Sequence, residues 1–104
     1  MNLPDENLEE QEYLAQLRNT IELGTEAEDF LKGELGRYMV SQARENIDAA
    51  FDKLKTLDPE DTKAIRKAQN IIKVEELIFS RLQAAIEAKN TIYQEEAAED
   101  DLQP

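Results

Sequence analysis

Between Glu60 and Gln103 the chain holds neither glycine nor proline, and so long a stretch without a helix breaker reads as one continuous helix if its apolar residues keep a helical period. They do: Ile65, Ala68, Ile72, Phe79, Leu82, Ile86 and Tyr93 recur about every 3.5 residues. Expected to end near Ala97, this helix would be ~60 Å long at about 1.5 Å per residue. Ile71, Val74, Leu77, Ile78 and Ile92 lie off that line, so the helix is apolar on more than one side.

The segment before it has a helical pattern of its own. From Leu35 onward, Met39, Ala43, Ile47, Ala50, Leu54 and Leu57 follow at steps of three and four, with Tyr38 and Phe51 widening the stripe. Asp58-Pro59-Glu60-Asp61 separates the two runs. Asp58 can cap the next helix, Pro59 suits its first turn, and the two acids favour the positive end of its dipole. So short a joint makes the flanking helices antiparallel neighbours. Phe51 is expected inside this hairpin.

Upstream, Leu14, Leu17 and Ile21 share one face of a helix from about Leu8 to Leu23, and Gly24 reads as its stop. Thr25-Glu26-Ala27-Glu28 has the form of a capping box opening a short helix with Phe30 and Leu31, which should break near Gly33. Gly33 and Gly36 then let the chain change direction. The expected fold is all-α: a long antiparallel helical hairpin with one or two shorter N-terminal helices, bundle-like. Its expected divisions are an acidic flexible tail over 1–12, a single helical domain over 13–97 and a second acidic flexible tail over 98–104.

Helix lengths decide what the hairpin can cover. The helix before Asp58 reaches along its partner only from Pro59 to about Arg81, so Leu82 to Tyr93 overhangs. Leu14, Leu17, Ile21, Phe30 and Leu31 of the N-terminal helices can cover the overhang, and so can a second subunit. Val74, Leu77 and Ile78 form the candidate oligomer or partner surface, since soluble monomers seldom leave contiguous apolar patches open. A homo-oligomer is expected, a dimer being the simplest. In the alternative, the first helix of the same chain covers everything.

The formal net charge of −12 disfavours direct attraction to nucleic acid or to an anionic membrane. Ten of those twelve units sit at the ends, on Asp5, Glu6, Glu9, Glu10 and Glu12 and on Glu95, Glu96, Glu99, Asp100 and Asp101. The ends read either as solvated tails or as recruiting, DNA-mimicking arms. Opposite in sign, Lys53, Lys55, Lys63, Arg66, Lys67 and Lys73 cluster around the hairpin tip, opposed by Asp58, Glu60 and Asp61. Ordinary helix-end charge placement accounts for such a cluster. It would equally serve as a basic docking tip for an acidic partner, including the acidic ends of a neighbouring copy.

With no cysteine and no histidine, the chain lacks the parts for a disulfide framework, a Ser-His-Asp triad, a Cys-His pair, zinc ligation or the Glu-x-x-His di-iron motif. No Gly-rich phosphate cradle is present. Glu45, Asp48 and Asp52 share a helical face, but that row has nothing apolar to desolvate them. Glu75, in register between Ile72 and Phe79, is expected to pair with Arg37 or Arg44 across the hairpin. No catalytic, cofactor or metal site is therefore expected. The opening residues, Met1-Asn2-Leu3-Pro4-Asp5-Glu6, are acidic where a signal peptide is basic and then apolar, and no run approaches the ~20 apolar residues of a membrane span. A cytoplasmic protein is expected.

Ile21-Glu22-Leu23-Gly24, Ala27-Glu28, Phe30-Leu31, Leu35-Gly36-Arg37-Tyr38, Leu54-x-x-Leu57-Asp58-Pro59 and Ile65 followed by Gln69-Asn70 resemble small acidic helical proteins that tailed phages and prophages encode near their structural genes. The resemblance spans about residues 20 to 72 and rests on caps and core positions. It carries no activity or functional residues across. It implies an accessory role in virion assembly, in the cytoplasm of a bacterial host or associated with the virion. The functional expectation is a non-enzymatic assembly or interaction protein acting on an unknown protein partner through helix faces. The alternative is an acidic DNA mimic or an inhibitor of a nucleic-acid-binding protein.

Overall fold

The computed structural model describes residues 4–102, with side chains for residues 7–99; the outermost parts of the two expected tails lie outside the described residues. The fold is all-α, with three helices and no strand among the described residues: α1 (Pro4–Lys32), α2 (Glu34–Thr56) and α3 (Thr62–Leu102). The chain packs as two compact units. Residues 29–82 make a hairpin unit from the end of α1, α2 and the first half of α3. The rest of α1, up to Glu28, and α3 from Gln83 on make a terminal unit.

In the hairpin unit, α2 and α3 are joined by Leu57 to Asp61. Asp61 donates its amide to the Asp58 carbonyl at 2.9 Å, closing a β-turn with Pro59 at its second position, where a fixed φ is useful. The Asp58 carboxylate accepts from the Glu60 amide at 3.0 Å and so braces the turn. The helix cap lies further on than expected. The Asp61 carboxylate accepts from Ala64 N at 3.2 Å, while the Asp61 carbonyl accepts from Ile65 N at 3.1 Å, the geometry of an N-cap.

The packing face of α2 runs Gly36, Val40, Ala43, Ile47, Ala50, Leu54, Leu57, alternating steps of four and three in the manner of a coiled-coil seam. Gly36, Ala43 and Ala50 are buried, and the larger residues between them are half-buried. On α3, Ala68 is buried and Ile65, Ile72, Glu75, Phe79 and Leu82 are half-buried. Small side chains bring helix axes together. A hairpin built this way has a thin core and closes over no large residue completely: among the described residues no large side chain is fully buried. Phe51 is accordingly 48% exposed and is not the interior residue expected, and Tyr38 beside the same stripe is exposed as well.

The break at Gly33 falls where expected. Its backbone is extended, with φ −76° and ψ 168°, and its amide donates to the carbonyls of Asp29 and Phe30 at the end of α1. Gly36 is needed for space: a Cβ there would run into the Phe30 carbonyl.

In the terminal unit, Gly24 does not stop the helix. It is buried inside α1, and a Cβ on it would sit 2.5 Å from Lys89 Cβ and 2.8 Å from the Ala85 carbonyl of α3. The glycine lets two backbones approach. Thr25 is likewise not a cap; its hydroxyl donates back to the Ile21 carbonyl at 2.9 Å, as a helix-interior threonine does. Ala27, Lys89 and Ile92 are buried beside Gly24 in this unit. Within this unit α3 from Gln83 on is thus packed by α1. Glu9, Glu10 and Glu12 lie on α1, and Glu95, Glu96 and Glu99 on α3.

Candidate interaction surface

On α3 the row Ile71, Val74, Ile78 runs one residue behind the packing row Ile72, Glu75, Phe79, which places it about 100° around the helix. A helix with two neighbouring apolar rows is suited to packing on two sides. In the hairpin unit Ile71 of the second row is half-buried, while Val74 (64% exposed) and Ile78 (52%) stay open, as does Leu77 (48%) beside them.

The six bases of the tip are divided by the structure. Lys63, Arg66 and Lys67 line an open depression of about 460 Å³ together with Asn70, Ile71 and Val74, so this basic group adjoins the apolar row. Lys53 lies in the neighbouring groove between α2 and α3, with Ala49, Ala50 and again Ile71. Lys73 is on the other flank, beside Phe51, Leu54 and Ile72. Lys55 reaches Asp52 at 3.9 Å with both side chains solvated, an ion pair that stabilises little. All residues lining the 460 Å³ depression come from α3. It therefore has no opposing wall to enclose a small molecule.

Glu75 borders this surface, and its partner differs from the one expected. The Asn46 side-chain amide donates to Glu75 Oε1 at 3.0 Å, whereas Arg37 and Arg44 line a separate groove with Val40, Glu45 and Asp48. Position 46 is four residues before Ala50 on α2 and faces Glu75 across the hairpin, while Arg44, two residues back, lies about 200° around the helix and Arg37 is more than two turns away. Glu45 and Asp48 are exposed. Among the described residues no group of three or more acids could hold a metal ion, and no helix is long and apolar enough to cross a membrane.

One ionic feature escaped the sequence reading. Lys89 of the terminal unit is only 8% exposed, and its ammonium meets Glu28 Oε1 at 2.6 Å. The stem of Lys89 lies against Gly24. The signal was present: Lys89 continues the row Leu82, Ile86 toward Tyr93, and a lysine in an apolar register needs a buried partner.

No family model, curated protein or solved structure matches the chain.

Proposed function

We propose that this protein is a non-enzymatic assembly or interaction protein that works through helix faces, and that it self-associates, most simply as a dimer. The observation that carries this reading is the open second row of α3, with Val74, Leu77 and Ile78 all about half exposed or more. Covering such a row removes apolar surface from water at no cost to the α2 seam, which uses a different side of the helix. Light scattering at high micromolar concentration, paired with co-purification from a native source, tests it. A strictly monomeric mass together with no bound protein partner would defeat it. The resemblance to phage-encoded helical proteins suggests virion assembly as the process, and a gene position beside capsid, portal or terminase genes is the test of that part.

A second reading, a DNA mimic or inhibitor of a nucleic-acid-binding protein, draws on the helical placement of Glu9, Glu10 and Glu12 in α1, because a mimic needs acids on an ordered surface. Binding to a basic nucleic-acid-binding protein that is lost on Glu9→Gln/Glu10→Gln/Glu12→Gln would support it. Binding that survived those changes would count against it.

A further inference from the structure

The open row of α3 is basic at both ends. Lys63, Arg66 and Lys67 stand on one side of Val74, and exposed Arg81 follows Val74 by seven residues on the same helical line. Glu75 at its edge is hydrogen-bonded to Asn46. This is a cationic frame around an apolar strip, in a chain whose net charge is −12. Pairing the strip with its own equivalent sets like charges together. Aligned parallel, Lys67 faces Lys67 and Arg81 faces Arg81; aligned antiparallel about Val74, Lys67 faces Arg81. Like charges placed so are repulsive and select against that partner.

The complementary surface is on the page. In α1, Tyr13 and Leu14 are exposed, and Glu9 and Glu10 lie four residues before them, one turn back on the same face. On α3, Arg66 and Lys67 precede Asn70 and Ile71 by the same four residues, with Val74 one turn beyond. Two parallel helices in that register bring Glu9 and Glu10 to Arg66 and Lys67 and Leu14 to Ile71, with Tyr13 level with Asn70. We infer that the open face of α3 takes the amino-terminal part of α1 from a second copy of this chain. Glu9 and Glu10 meet Arg66 and Lys67, Leu14 covers Ile71, and Tyr13 lies beside Asn70 at the edge of the strip. The contact joins two different patches, so copies either close it on one another or propagate it into a chain. This inference rests on the self-association proposed above and names the segment that produces it.

A charge exchange tests it, using full-length protein, sedimentation equilibrium and circular dichroism to verify helix content. Glu9→Lys/Glu10→Lys should weaken self-association by about tenfold or more, and Arg66→Glu/Lys67→Glu should do the same, because each opposes like charges at the contact. Combining all four changes in one chain should restore association to within about threefold of the original, and raising the salt from 0.05 M to 0.5 M should weaken the original protein. Association unaffected by either pair, or weakened by both without restoration in the combined variant, overturns the inference while leaving self-association standing. A protein that stays monomeric throughout overturns both. As a second readout in this cysteine-free chain, a mixture of Leu14→Cys and Ile71→Cys proteins should yield the mixed disulfide in excess of either like pair. A dominant Ile71→Cys like pair would mean instead that the strip packs on itself.

Discussion

Replacing Gly24 with alanine should destabilise the protein, although the same change in an ordinary helix does the reverse. Alanine favours the helix over glycine by about 1 kcal/mol at an interior position. Against that gain stands the geometry of the terminal unit, where the added methyl would lie 2.5 Å from Lys89 Cβ and 2.8 Å from the Ala85 carbonyl oxygen. Both atoms are fixed to the α3 backbone, so relief requires the helices to separate rather than a side chain to rotate. Overpacking of this kind costs about 1–3 kcal/mol, and with both obstacles anchored the upper part of that range applies. The expected net loss is about 1–2 kcal/mol. Urea unfolding followed by circular dichroism at one fixed protein concentration would measure it, the fixed concentration keeping any association constant across variants. Gly33→Ala is the internal control. Its φ of −76° suits any residue and its Cβ would meet only carbonyl oxygens at 3.4 and 3.6 Å, so it should be neutral or stabilise by up to about 1 kcal/mol. A Gly24→Ala protein more stable than the original would refute the close approach of α1 to α3.

Lys89→Met, which keeps the apolar stem but removes the ammonium from Glu28, should cost about 1–3 kcal/mol. Adding Glu28→Met should recover part of the loss, since a desolvated pair replaced by apolar residues is often tolerated; a double variant no more stable than Lys89→Met alone would contradict this. Asp61→Ala should cost about 1 kcal/mol through loss of the α3 cap, and should exceed the effect of Asp58→Ala in the same denaturation assay. Phe51→Ala should cost only about 1 kcal/mol, because half of the ring is already in water; a loss several times larger would place Phe51 inside a core.

The hairpin was legible because its signals are local and agree with one another. The stripe from Ala43 to Leu57, the Asp58-Pro59 joint and the unbroken run from Glu60 each lead to the same pair of helices, and the break at Gly33 carries its own backbone signature. What the sequence hid is set by distance between helices. A glycine that stops a helix and one that admits a neighbouring backbone look alike in a single sequence, so Gly24 was read as an end and Thr25 to Glu28 as a beginning. Phe51 fits the helical period but not the depth of a core lined by alanines. Glu75 was correctly placed at the hairpin boundary, but its partner depends on the axial register of α2 against α3, which favours Asn46 over Arg37 and Arg44. Lys89 could have been found from its place after Leu82 and Ile86; Glu28 could not, because its role was hidden in an apparent capping box. For the interaction surface, the apolar residues Val74, Leu77 and Ile78 were visible as excess over one stripe. The coordinates separate Lys63, Arg66 and Lys67, which line one depression with Val74, from Lys73, which flanks Phe51 and Leu54, and Lys55, which pairs with Asp52.

The proposed role depends on α3 offering a second face that another polypeptide covers. Sedimentation equilibrium of the original protein and of Leu77→Arg, at matched high micromolar concentration, addresses this directly. A mass above that of one chain for the original, falling to one chain for Leu77→Arg with the helical spectrum and melting transition retained, is the predicted result. Contradiction would come from a single-chain mass for the original, or from a Leu77→Arg protein that loses its fold, since Leu77 would then belong to the interior.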